Sequence, residues 1–583
     1  MSRNAINSFR NSPKTWIYRV PGYYSRRDLN TDNVWYPYTS TRLPSNGKQR
    51  PPIQHVKFDM DRLIKSATRA LGLLPKNCIK VEKFYDAKFS RTFLFTMDNN
   101  REVLAKIPHP DAGLPYYTTA SEVATLKLAR GVLEAPVPKV LAWSSDAAST
   151  PIGSEYIVMT KPLGIPVSNY WSSMDSEQRS ALVKSICLMQ KSWTSKPLYG
   201  FGSVYHMSNL ENSYRRIELK NPRINAKTPI DSSLTDKDWV VGPSTGRGFL
   251  DDGRIDMEID RGPFGGVRMF KKGAALREIA CVQSVPQLPP SPPGTFGPST
   301  YHPSRTKKIA ALQNYIRILP YLLPTDKSLN APCLWNPNIL NLDNIFVKHR
   351  EPTEIVSIMD WQSSEVIPLF DHARRLTLLD RNGPPTTTEV PELPLGFNQF
   401  GAMQQANTWD LYLKLSLAAL YRRATLESNE PLARAMEMST STAFKIMDRA
   451  ENMLVESEAL AQLSYLDLRS EWDQLPAVRA AGNPPFPLSF SEEEIEEIRK
   501  DAAAANGARS AQKLGEELGS LLDLSEGGKR VDDEEESFDE AWKEGKIDNR
   551  SPDFGTGGRR RAGRQKSLER TLRRLQTLRP RQM

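Results

Sequence analysis

The chain has 583 residues, of which 39% are hydrophobic, and a formal net charge of +10; that length and apolar content support a large buried core and exclude a wholly disordered protein. The basicity sits at the ends: residues 1–27 hold six Arg or Lys and no acid, residues 556–583 hold ten against one Glu, and the 528 residues between are net −5, so the globular part has no general reason to bind polyanions. No apolar run approaches the ~20 residues of a membrane-spanning helix, and four scattered cysteines without a CxxC pair exclude a disulfide framework and a structural zinc site.

Residues 1–50 read as a leader and an extended segment; its first 27 residues have the acid-free, Arg- and Ser-containing composition of a mitochondrial presequence. Dense hydrophobic patterning begins near Val56. From Thr92 to Pro108 the spacing predicts strand, turn and strand. Phe93, Phe95 and Met97 alternate, Asp98-Asn99-Asn100 turns the chain, and Val103, Ala105 and Ile107 share one face while Lys106 lies on the other. A helix is expected over Ser121–Arg130, capped by Thr118, Thr119 or Ser121, then strands at Lys139–Trp143 and Tyr156–Thr160. Helical patterns follow at Glu177–Thr194 and Thr306–Leu319. Between them, residues 225–305 are polar and turn-rich, with seven prolines in 286–303, and read as a surface insertion. Long helices are predicted at Thr408–Glu427 and Pro431–Leu468, and Ser491-Glu492-Glu493-Glu494 reads as a capped helix start. The end of the chain turns acidic, then Gly/Arg-rich and basic.

ATP-dependent phosphoryl transfer requires a strand lysine on the phosphates, a helix acid to position it, an Asp and an Asn for Mg²⁺, and an Asp to orient or deprotonate the acceptor hydroxyl. The chain offers Lys106 in a strand, Glu122 sixteen residues on, Asn344 before a strand and Asp360 sixteen residues beyond that, in the required order. Each alone is an ordinary edge lysine, turn or surface acid; the ordered set is specific. The six histidines lack metal-ligand spacing, and no GxSxG or Cys/His arrangement stands out.

Six stretches carry a resemblance: Val103–Pro108, Ser121–Thr125, Pro136–Leu141, Glu155–Met159, Asn344–Val347 and Ile358–Gln362. Together with Arg261-Gly262-Pro263-Phe264 and Pro368-Leu369-Phe370, they resemble the aminoglycoside-phosphotransferase family, and in it the fungal branch that includes the altered-inheritance-of-mitochondria proteins, over residues 55–490. The resemblance implies an α+β, protein-kinase-like bilobal fold. A small β-rich N-lobe would occupy 51–164, a large helical C-lobe with its insertion 165–488, and a helical, then acidic, then basic extension 489–583. It also implies ATP with Mg²⁺ and, in an active member, a small hydroxylated acceptor.

The departures lie in the catalytic loop. Where the family carries an HxDLHxxN-like loop, this chain reads Asn336-Pro337-Asn338 and then Asn344, one residue longer. An amide takes no proton at neutral pH, so Asn338 at the position of the catalytic Asp cannot be a general base. Three registers are open. One inserted residue puts Asn338 at the base and Asn344 at the metal; counting back from Asn344 puts Ile339 at the base; counting forward from Asn338 puts Asp343 at the metal, as a carboxylate ligand. The phosphate-covering hairpin, Asp86-Ala87-Lys88-Phe89-Ser90-Arg91, contains no glycine, leaving Lys88 or Arg91 as substitute phosphate contacts or the whole as a solvated turn.

The expectation is a phosphotransferase-family pseudoenzyme or nucleotide-responsive interaction module, with binding of ATP and Mg²⁺ weak or lost. The alternatives are an active small-molecule phosphotransferase, or an RNA-associated protein acting through its basic tail. No partner is named by the sequence, although the C-terminal Arg cluster could contact RNA or anionic lipid. The leader favours mitochondria, against a cytoplasmic or nuclear location.

Overall fold

The period-two pattern around Lys106 sets the N-terminal lobe. The structure, a computed structural model, describes residues 37–39, 53–87, 89–110, 112–196, 198–211, 214–219, 239–290, 301–336, 341–373 and 388–507. The basic leader, Lys88, Asn338 and the basic tail lie outside the described residues.

Strands β1 (Cys78–Ala87), β2 (Ser90–Met97), β3 (Glu102–Pro108), β4 (Val140–Ser144) and β5 (Tyr156–Thr160) form one antiparallel sheet in the order β1-β2-β3-β5-β4. The register sets Phe93 opposite Ala105 and Phe95 opposite Val103. These residues, with Met97 and Ile107, pack on Met60, Leu63, Ile64 and Ala67 of helix α1 (Met60–Ala70), each large apolar side chain contributing ~1.5–3 kcal/mol by burial. The turn reverses at Asn100, whose φ of 61° is a conformation asparagine tolerates well. Strand β1 was not foreseen; its register shifts beside β2 blur the alternation a strand shows in sequence.

Helix α2 (Tyr117–Gly131) begins before the expected Ser121. Thr118, Thr119 and Ser121 are buried inside it and are not its caps. The N-cap is Tyr116, without a side-chain cap; its N–H instead donates to the Glu155 carboxylate at 2.8 Å, so an acid from distant sequence stands at the positive end of the helix. The helix is buried on three sides. Val123 meets Leu94, Leu104 and Met159 of the sheet. Ala120 meets Tyr205 and Val240 of the strand pair β6 (Ser203–His206) and β7 (Trp239–Gly242). Leu126, Leu128 and Ala129 enter the main core of the larger lobe.

That lobe contains helices α3 (Ser176–Thr194), α4 (Val267–Ser284), α5 (Arg305–Leu322), α6 (Ala402–Ser428), α7 (Glu430–Met438), α8 (Thr442–Glu451) and α9 (Glu458–Glu471), with strands β8 (Pro332–Trp335), β9 (Ile345–Lys348), β10 (Glu351–Ile358) and β11 (Glu365–Pro368). The arrangement is α+β, with a small β-rich lobe and a larger, mainly helical one. The single helical run expected over Pro431–Leu468 is three helices. Ser441 and Ser457 accept from the N–H groups of Phe444 and Leu460, and such caps restart a helix where periodicity alone would continue it. The capped start at Ser491 is present: Glu494 N–H donates to Ser491 Oγ at 3.2 Å and Ser491 N–H to the Glu494 carboxylate at 2.8 Å. Among the described residues no helix is long and apolar enough to cross a membrane.

The expected surface insertion departs most from its sequence reading. In its described part, 239–290 and 301–305, strand β7, the segment after it and one face of α4 are buried. Lys271, Glu278 and Cys281 of α4 are wholly buried, as is Lys308 of α5. Glu278 receives Arg254 and Arg277, both at 2.9 Å; Lys271 is held by Asp371 at 2.7 Å and by Glu451; Lys308 lies 3.4 Å from Glu458. Charges that read as surface are therefore paired inside. Glu278→Ala removes the carboxylate that two buried guanidinium groups share, leaving Arg254 with that of Asp252 alone, and is expected to lower stability by about 3–5 kcal/mol in urea unfolding followed by tryptophan fluorescence.

Candidate functional site

Lys106 stands in the central strand β3, opposite Thr92 of β2 and Ile157 of β5, and cross-strand partners share a face. Its neighbours Ala105 and Ile107 enter the core under α1, so Lys106 emerges on the side of α2. There its Nζ lies 2.6 Å from Glu122 Oε1 and 3.7 Å from Asp360 Oδ1. Lys106 and Glu122 are each 5% exposed, whereas the Asp360 side chain is 28% exposed. Burial pushes the Glu122 carboxyl above its usual range; the Lys106 ammonium pulls it down, and the like charge of Asp360 pushes it up again. The lysine therefore stabilises the ionised carboxylate that holds it.

The second half of the site comes from the β9–β10 hairpin. Ile345 pairs with Ile358, and Met359 N–H donates to Asn344 O at 2.9 Å, which sets Asn344 beside the residue preceding Asp360. Asn344 is buried and Asp343 exposed. Asp360 has φ of 60°, as does Ser363, so the chain bends sharply on both sides of the buried Trp361. The amide of Asn336 holds this bend, its Nδ2 donating to Asp360 O at 3.1 Å and Gln362 O at 2.8 Å. Sequence reasoning treated the residue at 336 only as a missing histidine and so missed this bracing. The available signal was that Asn, like His, is a side-chain N–H donor. Strand β8 delivers Asn336, and its register against β11 sets Trp335 opposite Glu365.

Of the residues expected from sequence, Lys106, Glu122 and Asp360 come together, Asn344 joins them through the ladder, Asp343 faces solvent, and Asn338 lies outside the described residues. Arg91 pairs with Ile107 in the register, on the face opposite Lys106, and is buried; it is no phosphate contact from that position.

The residues present suit a nucleotide with Mg²⁺. A cation with one acid in contact and a second 3.7 Å away retains donor capacity for phosphate oxygens, and a partly exposed carboxylate beside an Asn is an oxygen donor set of the kind Mg²⁺ takes. Next to Asp360, Gln362 Nε2 and Ser363 Oγ are buried and have no hydrogen-bond partner among the described residues.

No family model matches the chain. A subtelomeric hrmA-associated cluster protein of Aspergillus fumigatus is 27% identical over 453 residues, covering 72% of this chain and 83% of that one. Altered inheritance of mitochondria protein 9, mitochondrial, is 21% identical in Saccharomyces cerevisiae over 484 residues (78% of this chain, 75% of that one). In Komagataella phaffii it is 23% identical over 438 residues (71% and 68%). The chain's homologues thus include the fungal proteins that its motifs resemble. Among solved structures, the gentamicin complex of APH(2″)-IIa matches at 14% identity and a TM-score of 0.28, covering 63% of this chain and 93% of that one. Macrolide 2′-phosphotransferase MphH of Brachybacterium faecium matches at 10% identity and a TM-score of 0.25, covering 64% and 92%.

Two measurements follow from this geometry. Lys106→Met leaves Glu122 with burial and Asp360 both raising its carboxyl, so the folded state keeps a proton that the unfolded state releases above about pH 4.3. Stability of the variant is expected to fall as pH rises from about 5 to 8, and Glu122→Gln in the same background to remove that slope. The buried His372, whose Nε2 lies 3.2 Å from Cys333 O beneath strand β8, is pushed down by desolvation to about 4. The unfolded state then binds its proton first, so stability is expected to drop as pH falls from about 6.5 to 4, by on the order of 3 kcal/mol, and His372→Asn to flatten that limb of the urea-midpoint profile.

Proposed function

We propose that the chain is a kinase-like nucleotide-responsive module that holds ATP and Mg²⁺ weakly between its lobes and transfers phosphate at background rate. One observation carries the reading: Lys106, Glu122 and Asp360 are assembled at 2.6 and 3.7 Å, while the position of the catalytic carboxylate is occupied in sequence by Asn338. Lys106 would meet the nucleotide phosphates and Glu122 would keep it there. Asp360 and the Asn344 side-chain oxygen would hold Mg²⁺, which neutralises phosphate charge when bound. An amide at 338 can orient an acceptor hydroxyl but cannot take its proton.

A second reading, an active phosphotransferase on a small hydroxylated acceptor, draws support from Asn336. Its amide braces the Asp360 bend, so the missing histidine has not cost the site its shape. Phosphoryl transfer depends mainly on positioning and electrostatics, and a base contributes typically ~10²–10⁴-fold. Location follows the relatives: those of Saccharomyces and Komagataella are named mitochondrial, and we assign this chain to mitochondria on that likeness and on its acid-free leader.

Titration of the full chain with ATP, with and without Mg²⁺, tests the function. Weak Mg²⁺-dependent binding is expected, lowered at least tenfold by Asp360→Ala, with no acceptor-dependent ATP consumption in the wild type or in Asn338→Asp. Tight binding indifferent to Asp360→Ala sinks the nucleotide assignment. Robust turnover abolished by Lys106→Ala makes the protein an active phosphotransferase.

A further inference from the structure

The hairpin between β1 and β2 has no glycine, and it is met from outside by a loop, residues 243–249, that follows β7. At its N-terminal end the loop is built into the segment after Asp360. Ser244 Oγ donates to the Glu365 carboxylate, Thr245 N–H donates to Ser203 Oγ at 2.9 Å, and Ser203 Oγ donates to Ser364 O at 3.0 Å. Ser203, Ser244 and Thr245 are wholly buried. Gly246 passes so close that a Cβ would sit 1.7 Å from the Glu365 carboxyl carbon. At its other end the loop presents Arg247 to the hairpin. The guanidinium carbon lies 3.6 Å from the centroid of the Phe89 ring, Nη1 donates to Ala112 O at 2.8 Å, and the Asp251 carboxylate takes Nη2. Phe89 is itself tied to the end of the lysine strand, since His109 N–H donates to Phe89 O at 3.0 Å.

A glycine-rich loop over a nucleotide lets backbone amides approach phosphate directly. Here the corresponding turn has bulk in place of glycine and a planar cation stacked on that bulk. The cation's carrier is bonded to the strand five residues beyond Asp360. Both jaws of the cleft are thus joined through one side chain. We infer that Arg247 is a positioning residue: it fixes the phosphate-covering hairpin relative to Asp360, so that nucleotide affinity depends on a loop remote in sequence from both. The affinity half of this inference rests on the nucleotide reading above; the mechanical half does not.

Hydrogen exchange on the full chain decides the mechanical half. Arg247→Ala and Phe89→Ala are each expected to speed exchange of the amides of residues 89–91 and of His109 roughly tenfold, because both lose the cation–π contact, while peptides from α8 and α9 keep their wild-type rates. The double variant should open the hairpin no faster than either single, since both remove one shared contact. Unchanged exchange in both singles, or additive acceleration in the double, overturns the inference. Titration with ATP and Mg²⁺ reads the other half. Both singles should weaken binding several-fold, with Arg247→Lys, which keeps the charge but loses the planar stack, falling between. Equal affinity in wild type and Arg247→Ala overturns this half, whereas a wild type that binds no ATP sinks the nucleotide reading and leaves the exchange result to stand alone.

Discussion

Four buried cations, Arg254, Lys271, Arg277 and Lys308, meet four buried carboxylates, Glu278, Asp371, Glu451 and Glu458. Desolvating such groups costs several kcal/mol per ion, and their mutual attraction offsets this only in well-formed geometry. Arg254, Arg277 and Lys271 are linked through Glu278, Glu451 and Asp371, and Lys308 pairs with Glu458 beside them. The network ties α4 and α5 to α8 and α9, and through Asp371 it fastens the chain just beyond β11, the partner of the strand that delivers Asn336. The strand pair that delivers Asn336 is thus anchored by charges well removed from Asp360.

Within the cleft the two jaws are built differently. The Asp360 side is braced by backbone-directed bonds from Asn336 and by the buried Trp361, whose Nε1 donates to Ile358 O at 3.2 Å and whose ring meets Trp193 at 5.6 Å. The hairpin side relies on a contact between side chains. The amide of Asn336 supplies the N–H donor that the carbonyls at 360 and 362 require.

Lys106 was legible in the sequence because period-two burial sets it, with Glu102 at the strand's start, on the face opposite Val103, Ala105 and Ile107. Its partners were legible by spacing from it. The interior of 239–290 was not, because hydropathy treats a charge as exposed, and Lys271, Arg277 and Glu278 lose their water only in the company of residues up to 180 positions away. Other misses share that cause. The cap of α2 comes from Glu155, and the brace on the hairpin from Arg247. By contrast, the helix breaks at Ser441 and Ser457 are local hydroxyl caps, visible in the sequence but outvoted by the apolar period around them.

Helix α2, which carries Glu122, has a sheet on one side, the β6–β7 strands on another and the main core behind it. A helix packed on three sides lacks the room to swing outward that a kinase-type switch requires, since moving it would expose three apolar surfaces at once. The pair it forms with Lys106 is accordingly a fixed fitting. The parts of the cleft with less packing around them are the covering hairpin and the loop that meets it through Arg247.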